Sequence, residues 1–380
     1  EARVRIAHIA NFYGPTSGGL RTAMHALGRG YVAAGHEVLI VVPGDADRDE
    51  LTAYGRRIMV RSPRLPFSGG YRVIVRTRAV KRILRDFAPD VLEVSDRTTL
   101  RGIGGWARLR GIPSVFFAHE RADGVMSANT PARLARMVSV TRLADWHNRG
   151  THRRFTAVVC TTDFAAAEFR RAGLETVLVP LGVDLEAFHP SHYSQDVRTE
   201  YAPDDVHLVL MASRLSGEKR PQLAIDAVRE LTARGVTVRM VSAGTGAIAA
   251  AMEQRARGLP ITFLGFMSDR ERFASLLASA DVVVAPGPIE TFGLAALEAL
   301  ASGTPVVVNA ASALPEVVGE AGVAAAGNPK AFADAVQEVL SWDPVARRVQ
   351  ARARAETLPW DETVKRMLAL HASHLTRLGR

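Results

Sequence analysis

A single cysteine, Cys160, stands in 380 residues, so no disulfide can form within the chain and no cysteine-rich zinc or iron–sulfur site is available. No apolar run approaches the roughly 18 residues of a membrane span, and no basic-plus-apolar leader opens the sequence. Together these absences lead us to expect a protein of the reducing cytoplasm. The eleven histidines show no HExxH or comparable spacing, so no metal is expected. Aromatic residues make up only 6% and do not interleave with basic ones, which argues against nucleic acid as a partner. There is no GxGxxG, which weakens a nicotinamide-enzyme reading, and there is no short repeat or low-complexity tract. Lysine is scarce as well, at four against 44 arginines, as GC-rich coding would leave it.

What is present is an ordinary globular balance of 47% hydrophobic and 23% charged residues. At about 150 residues per domain, the length suggests two domains, each with its own core. The charge is unevenly spread. Residues 1–189 hold 28 Lys+Arg against 18 Asp+Glu, a net of +10, whereas 190–380 hold 20 against 21. Codon bias explains arginine over lysine but not this asymmetry, which points to an anionic partner for the first half.

Short all-apolar segments alternate with helical ones, the signature of a parallel sheet covered on both faces. The strands Arg5–Ala10, Val38–Val42, Val91–Val94, Ser114–Phe117, Ala157–Cys160 and Val177–Pro180 form a first series. A stretch rich in turn formers, 184–206, reads as a linker. The rhythm restarts with strands His207–Met211, Thr237–Ala243, Ile261–Leu264, Asp281–Ala285 and Val306–Asn309 and their helices. Helical stretches around Pro329–Leu340 and Trp360–Arg377 close the chain. The fold class expected is α/β, with two doubly wound, Rossmann-like domains facing across a cleft, 1–186 and 187–359, the last helix (about 360–380) completing the first.

In such sheets ligands bind beyond the C-terminal ends of strands, and four loops there carry candidate residues. Gly18-Gly19, before a helix, can bring backbone amides close to an anion, or can be a plain tight turn. Arg214 and Lys219 share one loop and can converge on a diphosphate, or can be two solvated cations. Glu290 lies where a helix begins, and Glu298 lies about two turns on in a nearly apolar stretch. The amides of Phe292, Gly293 and Leu294 can point into the same space. A lone carboxylate there must face solvent, a partner or a ligand hydroxyl. His119, followed by Glu120 and Arg121, follows a strand, where it can do acid–base work or hydrogen-bond a sugar.

The conjunction of Gly18-Gly19, His119, Arg214 with Lys219, and Glu290-x7-Glu298 resembles the retaining glycosyltransferases of family 4. So do FLGF (263–266), ADVVVAP (280–286), SALPEVV (312–318) and PLGVDLEAFHP (180–190). The N-terminal segments ANFYGPTSGGLRT (10–22), FSGGYR (67–72), EVSDRTTLR (93–101) and AHER (118–121) are most similar to actinobacterial mannosyltransferases acting on phosphatidylinositol mannosides.

The resemblance implies the GT-B fold, with donor nucleotide held by the C-terminal domain and acceptor by the N-terminal one. It implies that Arg214 and Lys219 neutralise the leaving diphosphate, with the Gly18-Gly19 amides near the same phosphates. Glu290 would hold hydroxyls of the transferred sugar, Glu298 the ribose, and Gly265 with Phe266 the base. His119 would contact the sugar at its reacting face. Tyr71, Asp96 and Arg97 would touch the acceptor, although structural roles suit them equally. Front-face substitution with retention needs no enzymic base, metal or resident cofactor, because the nucleotide sugar is a co-substrate. The reading is therefore a hexosyltransferase moving mannose from GDP-mannose to an anionic inositol lipid. Two arginine-rich clusters would dock it on the acidic inner face of the plasma membrane: Arg76, Arg78, Lys81, Arg82 and Arg85, and Arg133, Arg136, Arg142, Arg149, Arg153 and Arg154. The rivals are a relative using a UDP- or other GDP-sugar on a soluble acceptor and, further off, an epimerase or sugar phosphorylase on the same fold.

Overall fold

The computed structural model describes residues 3–14, 18–66, 70–122, 139–203 and 205–379. Arg133 and Arg136, along with 15–17 and 67–69 of the segments quoted above, lie outside the described residues. The chain forms two compact units, Glu1–Leu181 with Trp360–Arg380, and Gly182–Pro359. The division falls at Leu181 rather than 186. The Val183 N–H donates to the Leu358 carbonyl (3.0 Å), which ties this stretch to the second unit.

The first unit runs β1 (Arg5–Ala10), α1 (Gly19–Ala33), β2 (Glu37–Gly44), β3 (Arg48–Thr52), β4 (Gly55–Arg61), α2 (Thr77–Phe87), β5 (Val91–Ser95) and α3 (Arg101–Arg108). It continues through β6 (Ser114–Ala118), α4 (Val140–His152), β7 (Ala157–Cys160), α5 (Asp163–Arg171) and β8 (Val177–Leu178). The sheet order is β3-β4-β2-β1-β5-β6-β7-β8. All neighbours are parallel except the β3–β4 hairpin. Ile9, Leu39, Val41, Leu92, Val94, Phe116, Val158 and Phe169 build its core, as expected of strands buried on both faces. Strand order reverses between β1 and β5, so the loops after these strands flank the crevice where such sheets bind ligands.

The second unit runs α6 (Gln195–Tyr201), β9 (His207–Ala212), α7 (Pro221–Ala233), β10 (Val238–Ala243), α8 (Ala249–Arg255), β11 (Ile261–Gly265), α9 (Arg270–Ser279), β12 (Val282–Ala285) and α10 (Leu294–Ala301). Then come β13 (Val306–Asn309), α11 (Leu314–Val318), β14 (Gly322–Ala325), α12 (Pro329–Ser341) and α13 (Pro344–Glu356), before α14 (Trp360–Arg377) returns to the first unit. The sheet is parallel, in the order β11-β10-β9-β12-β13-β14, with its reversal between β9 and β12.

The expected linker at 184–206 is part of the second unit. Its turn formers are caps: Ser194 accepts from the Val197 amide (3.3 Å) to start α6, and Arg198 pairs with Asp281 (2.8 Å). Helix α13 was not expected, because its sequence is arginine-rich and carries no broad apolar stripe. Those arginines clamp carbonyls at the C-terminal ends of neighbouring elements, where helices leave acceptors orphaned. Arg348 donates to the Ala278 and Ala280 carbonyls (2.8 and 3.0 Å), and Arg352 to Phe188 and Ala301 (both 2.8 Å). Arg347, almost fully buried, pairs with Asp281 (3.0 Å).

Candidate active site

In the second unit the loops after β9 and β12 meet at the switch point. Gly217–Lys219 forms a 3-10 turn after β9, and Lys219 reaches Glu290, in the loop after β12, in a half-buried ion pair. The close approach of the loop after β10 to the loop after β9 depends on glycine: a Cβ at Gly244 would sit 1.9 Å from the Ser213 carbonyl, at a φ of 152°. Arg214 shares the loop but turns to the exposed Glu218 (2.9 Å), a surface pair of little energetic worth. The structure therefore joins Lys219 to Glu290 and directs Arg214 elsewhere. A small hollow lined by Ala212, Ser213, Lys219, Gly287 and Glu290 opens beside them.

Gly293 caps helix α10, and its φ of 82° is left-handed, with the Leu314 side chain close to where a Cβ would lie, so glycine suits the position. Phe292 is buried beneath the turn, and Leu294 opens the helix. Glu298 lies on α10 with only partial access to solvent. Among the described residues its carboxylate has no hydrogen-bond or ion-pair partner. Burial pushes its pKa up to about 7, against the pull of Arg270 and with a push from Asp184. Gly265 (φ 68°) ends β11, and the Phe266 ring beside it is 57% exposed, free to stack.

In the first unit His119 follows β6, its ring stacked on Phe117 with centroids 4.6 Å apart. Its Nε2 lies 3.0 Å from the Ser95 hydroxyl at the end of β5. Burial, with His8 and Arg97 nearby, pushes its pKa down to about 3 against the pull of Glu93, so it is neutral. Ser95 is also 2.7 Å from His8 Nε2, and His8 Nδ1 is 2.9 Å from Glu93 Oε2. Glu93 Oε1 accepts from Tyr31 and His371, both at 2.7 Å. Burial alone would raise the Glu93 pKa. The His8 charge and the bonds from His371 and His8 outweigh it and hold the carboxyl well below the usual range. Motif spacing alone does not reveal this cluster. Its signal was a polar residue at the centre of each of two apolar strands, RIAHIA and VLEVS.

The three acceptor candidates are occupied in different ways. Asp96 accepts from the Thr98 and Leu100 amides (3.0 and 2.8 Å) and fixes the entry to α3, and burial raises its pKa. Arg97 pairs with the fully buried Glu168 (2.9 Å), bonds Asn148 (3.0 Å) and lies over Phe116 and Phe169. For both, the contacts made are structural. Tyr71 packs edge-on against Phe12 (6.0 Å) beside Gly14, and so sits on the loop after β1. Gly18, exposed, caps α1 and brings no side chain to its first amides.

Two doubly wound Rossmann-like units, each with its own switch point, are the plan of the GT-B fold. Solved structures of that fold overlay the chain: sucrose-phosphate synthase from Thermosynechococcus elongatus has a TM-score of 0.79 at 22% identity, covering 99% of this chain and 100% of that one. HepE from Anabaena, in complex with UDP and glucose, gives 0.74 at 17%, covering 98% and 100%. Residues 17–187 match the family description "Glycosyltransferase Family 4", and 206–341 match "Glycosyl transferases group 1". A GDP-mannose-dependent alpha-(1-6)-phosphatidylinositol dimannoside mannosyltransferase of Mycobacterium tuberculosis is 46% identical over 96% of this chain and 95% of its own. A D-inositol 3-phosphate glycosyltransferase of Geodermatophilus obscurus is 32% identical over 72% and 64%. The chain belongs to glycosyltransferase family 4.

Proposed function

We propose that the protein transfers mannose from GDP-mannose, with retention, to a phosphatidylinositol mannoside. The observation carrying this reading is the 46% identity to a mannosyltransferase of that name across 96% of the chain, which spans both units. In this reading Lys219 meets the diphosphate as its leaving charge develops, and Arg214 swings from Glu218 to join it. Glu290, held by Lys219 when no donor is present, turns to the sugar hydroxyls. Glu298, partly buried and unpartnered among the described residues, accepts from the ribose, and Phe266 with Gly265 flanks the base. His119 hydrogen-bonds the transferred sugar, and the Gly18-Gly19 amides meet an anionic oxygen. The leaving phosphate oxygen takes the acceptor proton, so the reaction needs no metal and no resident cofactor.

We infer further that the first unit docks on an acidic leaflet, the inner face of the plasma membrane. Support comes from α2, which buries Val80, Leu84 and Phe87 and exposes Arg78, Arg82 and Arg85. Arg76 at its start is already paired with Asp47 (2.9 Å). On α4, Leu143 and the 63% exposed Trp146 stand beside Arg142 and Arg149. No helix among the described residues is long and apolar enough to cross a membrane. The test is an assay of mannose transfer from GDP-mannose to phosphatidylinositol dimannoside in anionic vesicles. Product that disappears on replacing GDP-mannose by UDP-sugars supports the reading, and transfer only to a soluble acceptor overturns it.

A further inference from the structure

Away from the strand ends of the first unit, two half-buried arginines converge with no counter-charge. Arg101 reaches from the start of α3 to the end of α4, where its Nη1 donates to the His147 carbonyl (3.2 Å) and, at 3.5 Å, to the Thr151 hydroxyl. Arg154, just past the end of α4, folds back to the Gly150 carbonyl (2.5 Å). A Cβ at Gly150 would lie 3.2 Å from Arg154 Nη1, and 3.6 and 3.9 Å from Arg101 Nη1 and Nη2. The two guanidinium groups therefore flank one point, and only glycine leaves it open.

Like charges this close repel unless an anion stands between them. No carboxylate of these helices does so. α3 carries none, and the one on α4, Asp145, is taken by Arg171 (2.7 Å). Arg97, the third cation nearby, is answered by Glu168. Arg101 and Arg154 have no ion-pair partner among the described residues, and the oxygens they hold are neutral. Burial, then the Arg154 and Arg97 charges, lower the Arg101 pKa, the direction a missing anion leaves. Each guanidinium offers five N–H donors in a planar fork that matches phosphate oxygens, and only Nη1 of each is engaged. The rest of the face indicates what carries the phosphate. Leu143, Trp146 and Gly150 fall at i, i+3 and i+7, one side of α4, and the first two are exposed. A tryptophan beside unmatched arginines suits the headgroup level of a leaflet, where its ring is buried and its N–H stays wet. A soluble phosphate would gain nothing from it.

We propose that Arg101 and Arg154 form a clamp, closed over Gly150, for the phosphate group of an anionic membrane lipid. The clamp rests on the reading of the first unit as docking on an acidic leaflet, and narrows it from a diffuse attraction to one built contact.

The test is binding of the full chain, without donor, to phosphatidylcholine vesicles carrying phosphatidylinositol, read by sedimentation at fixed salt. Arg101→Gln and Arg154→Gln should each weaken binding roughly thirtyfold, the loss of a charge-assisted contact. Arg149→Gln, which removes an exposed arginine of the same helix, should cost only about fivefold, the share of a cation that feels the surface alone. Gly150→Ala favours the helix yet puts a methyl group where the guanidinium groups meet. It should keep or raise thermal stability while binding weakens, which separates loss of the clamp from loss of the fold. Equal losses in the three arginine variants, or unchanged binding in Gly150→Ala, overturn the clamp. Loss of inorganic phosphate binding in the clamp variants, with vesicle binding unchanged, overturns the lipid as carrier. Mannose transfer to a detergent-solubilised acceptor by a chain that binds no vesicle would overturn docking and clamp together and leave the transferase reading standing.

Discussion

The two units share a parallel-sheet plan and treat their buried glutamates in opposite ways. In the first, each buried glutamate among the described residues is answered from within: Glu93 by His8, His371 and Tyr31, and Glu168 by Arg97, while the buried Asp96 takes backbone amides. In the second, Glu298 is partly buried and unanswered among the described residues, and the Lys219–Glu290 pair stands at a switch point beside an open hollow. A satisfied network rigidifies a fold, whereas an unsatisfied buried group costs stability unless a ligand completes it. On the proposed function, the contrast separates charge placed for architecture from charge held ready for substrate. It also matches the asymmetry of net charge, which gives the first half the cations an anionic surface would meet.

The same substitution in each unit breaks the comparison most sharply. Glu93→Gln should destabilise the first unit by about 3–5 kcal/mol, because it removes the carboxylate that buried His8, His371 and Tyr31 share. Chemical denaturation followed by hydrogen exchange in that unit measures it. Next in size, Lys219→Ala should lower kcat/KM by about 2–4 kcal/mol of transition-state stabilisation with the fold intact. Wild-type turnover in that variant would remove the diphosphate assignment. Glu298→Gln should do the reverse of Glu93→Gln, raising ligand-free stability above pH 7 by about 1–2 kcal/mol. A loss of stability there would mean that Glu298 has a protein partner.

Acidity sharpens the contrast. Burial lowers His25 and His147 to about 4 and His119 to about 3, from an unfolded value of 6.5, with nearby cations adding to it. The unfolded state then binds more protons, so stability of the first unit is lost as pH falls from about 6.5 toward 4. Glu298 is raised from 4.5 to about 7, so its contribution is present below 4.5 and lost as pH rises through 7. Hydrogen exchange at pH 5 and pH 8 should therefore show the first unit opening more readily at the lower pH and the second at the higher. The smallest effect is at the membrane. Replacing Arg78, Arg82 and Arg85 by Gln should weaken binding to anionic vesicles by about 1 kcal/mol each, and removing second-half cations should not. Vesicle sedimentation at two salt concentrations reads the difference.

The strands were legible in the sequence because doubly covered strands are continuous apolar runs, as in Val38–Val42 and Val306–Asn309. The elements that escaped notice were those whose stability comes from partners rather than pattern. Strand β3 (RDELT) is polar because it is an edge held by hairpin pairing to β4. Helix α13 is arginine-rich because its side chains serve distant carbonyls. For the candidate site, spacing pointed to Lys219, Glu290 and Glu298, yet it could not tell that Arg214 turns to Glu218 or that Asp96 is spent on its own loop. Such contacts depend on where a side chain points, which no one-dimensional pattern records. His8 and Glu93 lie 85 residues apart and become neighbours only through β1–β5 register.

The most direct test of the central claim, that the second unit keeps Glu298 unanswered for a GDP-mannose donor, is thermal unfolding of wild type and Glu298→Gln with GDP, GDP-mannose and UDP. At 100 times its dissociation constant a donor stabilises the fold by about 2.7 kcal/mol. The account predicts that GDP and GDP-mannose, but not UDP, stabilise the wild type, and that most of this gain vanishes in Glu298→Gln. Equal stabilisation of the two proteins, or a shift with UDP alone, would contradict it.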